Sequence, residues 1–137
     1  MVHHTTNKGD LGECKCRVDL IQRGYTVLMP LTQQEPFDLV AYKDGKFIRI
    51  QVKYRSVKKG SLCIMMRSTW ATKGEIHKKP VDKNEIDVFC VYCPETDECY
   101  YFKPEICDKA FTLRVERPKN NQTVGINFAS DFREIPE

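Results

Sequence analysis

Apolar residues near the N-terminus recur every three or four positions, which is the spacing of one face of an α-helix. This stripe consists of Leu11, Cys14, Val18 and Ile21. The pattern predicts a helix over residues 8–23 that buries the stripe. Asn7 or Thr6 can cap its first turn. Gly24 can end it, since glycine readily adopts the left-handed backbone that follows many helices.

The pattern then changes to the alternation that is typical of β-strands. Strands are predicted over residues 25–29, 37–42 and 47–54. Asp44-Gly45, between the last two, can supply the positive φ angles of a tight hairpin turn. One face of the third strand carries Ile48, Ile50, Val52 and Tyr54, and the other carries Phe47, Arg49, Gln51 and Lys53. We expect the apolar face to pack on the helix.

Further strand patterns follow in the second half of the chain. They cover residues 61–66, 86–93, 99–103 and 111–116, with a hairpin around residues 94–98 and a helical turn over 104–109. Residues 68–84 are polar and basic, and we expect them to be irregular. A helix followed by strands predicts an α/β or α+β fold with a mixed central sheet. We expect residues 1–137 to form a single domain.

A length of 137 residues, with 41% hydrophobic and 30% charged residues, is typical of one globular domain. The longest apolar runs, such as residues 88–92, are far shorter than the ~20 residues that span a membrane. Residues 1–8 contain no apolar segment of the secretory kind. The sequence therefore favours a cytosolic protein.

Seven cysteines without a secretory signal favour reduced thiols over a disulfide framework. Cys90 and Cys93 form a CxxC pair, which raises the alternative of a structural zinc site. Residues three apart on a strand point to opposite faces, however, and the other cysteines add no second pair of that spacing. Buried thiols are therefore the preferred interpretation. His3 and His4 lie in a polar terminal segment, which favours a disordered tail over metal ligands.

The net charge of +3 is small, but basic residues are concentrated between positions 53 and 83. They are Lys53, Arg55, Lys58, Lys59, Arg67, Lys73, Lys78, Lys79 and Lys83. The same stretch of sequence contains only two acidic residues, Glu75 and Asp82. Such a distribution suits a polyanion, since phosphate contacts supply much of the affinity for nucleic acids that does not depend on base sequence. An ordinary solvated surface is the alternative that the charge pattern leaves open.

One group of residues indicates a chemical function. Asp38 starts a strand of the first hairpin, and Gln51 and Lys53 share a face of its partner strand. The turn brings Asp38 opposite or just beyond Gln51, Val52 offers a backbone carbonyl, and Glu13 can face the sheet from the helix. Oxygen ligands of this kind hold Mg²⁺, and a nearby lysine can stabilise charge during phosphodiester hydrolysis. Each residue alone has a structural interpretation, but together they favour a metal-dependent active site.

Three short segments resemble the PD-(D/E)XK nuclease superfamily. Gly9-Asp10-Leu11-Gly12-Glu13, Pro36-Phe37-Asp38-Leu39-Val40 and Ile50-Gln51-Val52-Lys53 are similar to its helix glutamate, PD and (D/E)XK elements. Residues 30–38, the Gln-Val-Lys strand and residues 84–96 are more similar still to the group I intron homing endonucleases of cyanobacterial type. The resemblance covers about residues 7–103, and it implies a restriction-endonuclease-like core with flanking helices. Archaeal Holliday junction resolvases share the early elements, but the later hairpin resembles them less.

The resemblance implies a role for each residue of the group. Asp38 matches the main metal ligand, Lys53 the catalytic lysine, and Glu13 the helix residue that holds the metal or its water. Gln51 stands where most members have Asp or Glu, although the homing branch similarly uses Gln. The amide removes one negative charge, so we expect Mg²⁺, or Mn²⁺ as the alternative, to bind less tightly than in a three-carboxylate site. Phe37 replaces the proline of the family's name, which is not a ligand.

The resemblance also implies a substrate, which is double-stranded DNA cut at a long, specific site. Because one such site cuts one strand, we expect a homodimer or homotetramer. Phosphate contacts are expected from Arg55, Lys58, Lys59, Arg67, Lys78 and Lys79, and base contacts from Gln33 and Gln34. Trp70 is equally suited to a DNA contact and to a core or interface position. Two alternatives stay open: a structure-selective nuclease such as a junction resolvase, and a non-catalytic DNA-binding module that keeps the nuclease fold.

Overall fold

A computed structural model describes residues 4–32 and 34–137, with side chains for all of these except residues 4–6 and 68–71. The elements are α1 (His4–Gln22), β1 (Thr26–Leu28), β2 (Leu39–Lys43), β3 (Lys46–Tyr54), β4 (Ser61–Met65), β5 (Arg67–Thr72), β6 (Glu75–Pro80), β7 (Val88–Cys93), β8 (Glu98–Phe102) and β9 (Ala110–Arg114). Two short 3₁₀ helices cover Pro104–Ile106 and Ala129–Phe132. No helix in the described part of the chain is long and apolar enough to span a membrane.

The central sheet has five strands in the order β1-β2-β3-β7-β8. Its neighbouring strands are antiparallel except for β3 and β7, which run parallel with Ile50 paired to Val88. Asp44 and Gly45 join β2 to β3 with φ angles of 52° and 80°. These are the angles of the tight hairpin turn that the Asp-Gly pair predicts. The predicted mixed sheet and the α+β class are therefore confirmed.

Helix α1 packs on the apolar face of β3, as predicted. The buried residues of this contact include Cys16, Leu20 and Ile50. Gly12 lies against β3, since a Cβ added there would be in ordinary van der Waals contact with the Cβ of Tyr54, at 3.5 Å. The contact holds the N-terminal half of α1, including position 13, against the strand that carries Gln51.

The predicted buried stripe of α1 was wrong. Leu11, Val18 and Ile21 are 43%, 52% and 61% exposed, and Cys14 is exposed as well. The buried face is instead formed by Gly12, Cys16 and Leu20 at four-residue spacing. Two of these residues are small and weakly hydrophobic, so they form no clear apolar signal in the sequence.

The predicted start of α1 was also wrong. The helix begins at His4, so Thr6 and Asn7 lie inside it, and His4 is not in a disordered tail. His3 lies outside the described residues. The predicted end is correct, because Gly24 follows the helix with a φ of 88°.

The opposite face of the central sheet is covered by strands rather than by a second flanking helix. Strands β4 and β9 form a two-stranded antiparallel sheet. Leu62 and Leu113 from this sheet share a buried cluster with Phe89 and Phe102 of the central sheet. Cys93 belongs to this cluster and Cys90 to the cluster under α1, so the two cysteines point to opposite faces, as the sequence predicts.

Strands β5 and β6 form a third, separate sheet. The prediction that residues 68–84 are irregular was therefore wrong. Lys73 and Gly74 turn the chain with φ angles of 44° and 83°, which again define a two-residue hairpin turn. The polar composition of the segment conceals this turn, since β6 carries no alternation of buried and exposed side chains.

The last residues of the chain pack against both buried clusters. Ala129 and Phe132 contact the cluster under β4 and β9, while Ile135 contacts the cluster under α1. Arg23 at the end of α1 donates to the backbone carbonyl of Arg133 and, at 3.2 Å, to the Glu134 carboxylate. The C-terminal segment is thus an integral part of the domain.

Candidate active site

Asp38 is fixed by two hydrogen bonds to β3 immediately before β2 begins. Its backbone N–H donates to the carbonyl of Ile50 at 2.8 Å. Its Oδ2 accepts a hydrogen bond from the backbone N–H of Val52, also at 2.8 Å. These bonds continue the hairpin register by one residue, so Asp38 lies opposite Gln51 and beside Val52.

The side-chain amide of Gln51 presents an unsatisfied oxygen. Its Nε2 donates to the backbone carbonyl of Pro36 at 3.1 Å, and this bond defines which end of the amide is the nitrogen, because a carbonyl can only accept. The Oε1 atom is buried and has no hydrogen-bond partner among the described residues. A buried acceptor left in this state costs about 1–3 kcal/mol. A bound cation or water would remove that cost.

Lys53 lies two residues after Gln51 on the same face of β3, in a largely buried position. Its Nζ is 5.9 Å from the centre of the Phe89 ring. Burial, together with the positive charge of Arg55, lowers the pKa of Lys53 to about 8, while the negative charge of Asp38 opposes the change. The ammonium therefore loses its proton more readily than an exposed lysine.

Two carboxylates share this region. Burial raises the pKa of Glu13, and the negative charge of Asp38 raises it further. Burial likewise raises the pKa of Asp38, against the Val52 hydrogen bond and the Lys53 charge, which lower it. For both carboxylates, the effect of burial on the pKa outweighs that of the neighbouring positive charge, which comes from Arg17 at Glu13 and from Lys53 at Asp38. Helix α1 and the first hairpin converge here, as the sequence predicts.

These residues fit a divalent cation with a preference for oxygen ligands. Ile50 directs its carbonyl towards β2, and alternation along a strand directs the Val52 carbonyl to the same side. The candidate ligands are then the carboxylates of Asp38 and Glu13, the free Oε1 of Gln51 and the carbonyl of Val52. Across residues 4–32 and 34–137, no three His, Cys, Asp or Glu side chains form a potential metal cluster. Here Gln51 and a main-chain carbonyl supply neutral oxygens instead.

A cleft of about 230 Å³ opens beside Gln51. It is lined by Gln34, Pro36, Gln51, Lys79, Pro80, Val81, Asp82, Glu85 and Ile86. The cleft thus joins the candidate ligands to the end of β6. A larger cleft of about 980 Å³ lies elsewhere, between Arg23, Lys43 and the C-terminal residues, and contains none of the predicted site residues.

The residues predicted to bind DNA are spread over three regions. Arg55 is half-buried beside Lys53, and Lys58 and Lys59 are exposed in the turn before β4. Arg67, Lys78 and Lys79 are exposed on β5 and β6, and Gln34 is exposed at the cleft. Gln33 and the side chain of Trp70 lie outside the described residues.

Three features of the site were missed by the sequence analysis. These are the Pro36 carbonyl that orients Gln51, the Phe89 ring near Lys53, and the acidic residues Asp82 and Glu85 in the cleft. Phe89 reaches Lys53 through the parallel pairing of β3 with β7, which joins segments far apart in sequence. A hairpin turn predicts only the pairing of adjacent strands, so no local pattern could identify this contact.

Comparison with known proteins identifies the family of the chain. A profile of the PD-(D/E)XK endonuclease family matches residues 3–135. The chain belongs to this family. Its fold is accordingly restriction-endonuclease-like, as the short motifs predict.

Two solved structures extend the comparison. The bacterial homing endonuclease I-Ssp6803I is similar over 96% of this chain and 89% of its own, with a TM-score of 0.77 and 25% identity. Hjc, a Holliday junction resolvase from the archaeal hyperthermophile Archaeoglobus fulgidus, matches over 78% of this chain and 84% of its own, with a TM-score of 0.49 and 17% identity. A comparison with curated protein sequences gives no significant match. The resemblance to the homing branch of the PD-(D/E)XK family is therefore confirmed in the structure.

Proposed function

We propose that this chain is a divalent-metal-dependent endonuclease that hydrolyses phosphodiester bonds of double-stranded DNA at a long, specific site, as homing endonucleases do. The observations that support the proposal are the hydrogen bond from Val52 that holds Asp38 beside β3, the electrostatic interaction of Asp38 with Lys53, and the buried Gln51 oxygen that has no partner among the described residues. The structural similarity to a bacterial homing endonuclease supports the site-specific form of this activity.

Each residue then has a defined task. Asp38, Gln51 Oε1, the Val52 carbonyl and Glu13 would hold Mg²⁺, or Mn²⁺ in its place. A cation there supplies a water of lowered pKa and neutralises charge on the phosphate. Lys53 orients the attacking water and stabilises the negative charge that develops on the phosphoryl oxygens. Its burial strengthens this interaction, because fewer water molecules screen the charge.

The proposal also includes a homodimer or homotetramer. One chain holds one candidate site, and one site cuts one strand, so cutting a duplex requires a second copy. The exposed stripe of Leu11, Cys14, Val18 and Ile21 on α1 supports an assembly, because apolar side chains in contact with water are stabilised by burial.

Replacing Lys53 tests the catalytic assignment. We expect Lys53→Ala to lower the rate of plasmid nicking with Mg²⁺ by at least about a hundredfold, because the developing charge loses its stabilising cation. Binding to duplex DNA, measured by fluorescence anisotropy with Ca²⁺ in place of Mg²⁺, should stay within about twofold, since one phosphate contact at most is lost. Lys109→Ala, an exposed lysine before β9, serves as the matched control.

Two results would contradict the proposal. If the wild-type protein with Mg²⁺ or Mn²⁺ nicks no DNA in a randomised plasmid library, the chain is a DNA-binding module that keeps the nuclease fold. If it cuts four-way junctions but leaves linear duplexes intact, it is a structure-selective nuclease. If Lys53→Ala cuts the duplex as fast as the wild type does, Lys53 is not part of the active site.

A further inference from the structure

The two-stranded sheet of β5 and β6 is here called the ribbon, and its strand β6 is exposed on both faces. Lys78 and Lys79 are neighbours on β6 and therefore point to opposite faces, yet both are exposed. Ile76 near the turn is 72% exposed. Within the described residues, the ribbon makes only sparse contacts with the other strands and with α1. A two-stranded ribbon of this kind contributes little to the hydrophobic core and is marginally stable alone.

The base of the ribbon is anchored at the candidate active site. Met66, immediately before β5, is buried, and its carbonyl accepts a hydrogen bond of 3.1 Å from the backbone N–H of Val81. Lys79 and Pro80, at the end of β6, line the same cleft as Gln51. The ribbon therefore extends outward from the point where a scissile phosphate would bind.

The charge and shape of the ribbon fit duplex DNA. Residues 67–80 contain four basic residues, Arg67, Lys73, Lys78 and Lys79, and one acidic residue, Glu75. A two-stranded antiparallel ribbon fits the major groove, which is about 12 Å wide. The turn at Lys73-Gly74 has positive φ at both residues, and such turns support the right-handed twist of paired strands.

We propose that the ribbon enters the major groove beside the cut and reads base pairs there, with Ile76 contacting a thymine methyl group. This proposal rests on the endonuclease function proposed above. Six residues separate Pro80 from Gly74, so the ribbon extends about 20 Å from its base. Base pairs are about 3.4 Å apart along the duplex. The ribbon can therefore read positions up to about six base pairs from the scissile phosphate.

The first test compares cleavage preferences of three proteins on a randomised duplex library. We expect Ile76→Ala to reduce the preference for thymine at one or two positions within about six base pairs of the cut, by at least about fivefold. Preferences at more distant positions should be unchanged. Val124→Ala removes an apolar side chain of similar exposure outside the ribbon, and it should cut with the wild-type preference at every position. Circular dichroism melting of each variant shows that it is folded.

The second test uses the salt dependence of binding. Each lost phosphate contact reduces the slope of log affinity against log salt concentration by about 1. We expect Lys73→Ala and Lys78→Ala each to reduce the slope by this amount, whereas Lys119→Ala, an exposed lysine outside the ribbon, should leave it unchanged.

The outcomes separate the two proposals. If the wild type cuts DNA but the ribbon variants keep both its base preference and its salt slope, the ribbon proposal is overturned and the endonuclease proposal stands. If the wild type cuts no DNA, the endonuclease proposal fails, and the salt slopes alone decide whether the ribbon binds the duplex. A preference that moves to positions beyond about six base pairs also overturns the ribbon proposal, because the ribbon cannot extend that far.

Discussion

At the residue scale, Gln51 gives the candidate site its distinctive chemistry. A glutamate at this position would carry a negative charge into a region that already holds Asp38 and Glu13, whose pKa values are both raised. The amide avoids that repulsion and donates a hydrogen bond to Pro36, while its oxygen stays available. Compared with a glutamate at this position, Gln51 therefore stabilises the protein without metal and weakens the attraction of the site for a cation.

Replacing Gln51 with glutamate should reverse this balance. We expect Gln51→Glu to lower the melting temperature without metal, since the carboxylate repels Asp38 and cannot donate to the Pro36 carbonyl. Its dissociation constant for Mg²⁺ should fall by about tenfold, because a third carboxylate attracts the cation. Isothermal titration calorimetry and melting curves with and without Mg²⁺ measure both effects.

Gln34→Glu is the matched control for this change, because it adds the same charge at an exposed position on the cleft. It should shift the Mg²⁺ affinity far less than Gln51→Glu. Equal Mg²⁺ affinity of wild type and Gln51→Glu would show that the Gln51 side chain is not a ligand.

The positions of Asp38, Gln51 and Lys53 were predictable because one short hairpin determines all three. Asp44-Gly45 fixes the turn, and period-two alternation then places Gln51 and Lys53 on one face. The environment of these residues was not predictable in the same way. The Phe89 ring and the acidic residues of the cleft belong to segments that no local turn connects to β3.

At the element scale, the pairing of β3 with β7 is reinforced by an ion pair at its start. Arg49 Nε donates to Asp87 Oδ2 at 3.0 Å, and its NH2 group donates to Oδ1 at 3.1 Å. The backbone N–H of Arg49 also donates to Oδ2 at 2.8 Å. The hydrogen bond from Arg49 is the largest cause of the lowered pKa of Asp87. This ion pair thus holds the two parallel strands together one residue before the first pair of residues in their register, Ile50 and Val88.

Removing this carboxylate should reduce stability in a way that depends on pH. Because the folded-state pKa of Asp87 is lowered, its ion pair stabilises the fold fully above the ordinary aspartate pKa of about 4. That stabilisation is lost as the pH falls through the folded-state value. We expect Asp87→Asn to lower the melting temperature at pH 7 by about 3 °C, since both side chains are about two-fifths exposed and partly screened.

Thermal melts at pH 7 and pH 3 check this expectation. The difference between wild type and Asp87→Asn should shrink at pH 3, because below about pH 4 the unfolded chain gains a proton at Asp87 that the folded ion pair disfavours. Asp108→Asn, an exposed aspartate elsewhere, should show little difference at either pH. A difference that grows on acidification would contradict a lowered pKa of Asp87.

Two elements show where sequence patterns fail. The apolar stripe of α1 was placed in the core because periodicity identifies a face but not the surface it meets. Gly12 and Cys16 belong to the face of α1 that is buried, and neither residue is hydrophobic enough to mark that face in the sequence. The ribbon was missed for the opposite reason, because strands exposed on both faces need no apolar residues and lack the pattern that reveals buried strands.

At the scale of the whole molecule, the proposed assembly can be measured directly. We expect the wild-type protein to have two or four times the chain mass of 16.0 kDa in light scattering coupled to size-exclusion chromatography. Val18→Asp places a charge in the exposed stripe of α1 and should reduce the measured mass, because burying an unpaired carboxylate is costly.

Ile106→Asp changes a similarly exposed apolar residue outside α1, and it should leave the mass of the assembly unchanged. A monomeric wild type would contradict the proposed assembly. A loss of mass in Ile106→Asp alone would place the interface away from α1.

The parallel pairing of β3 and β7 also affects how the protein folds as it is made on the ribosome. Arg49 and Asp87 are 38 residues apart, and β4, β5 and β6 are synthesised between them. When the first hairpin has left the ribosome, β7 has not yet been made. At that stage Lys53 therefore lacks the neighbouring aromatic ring of β7. Such non-local pairing makes folding slow. The candidate active site is consequently completed late, after most of the polypeptide has emerged from the exit tunnel.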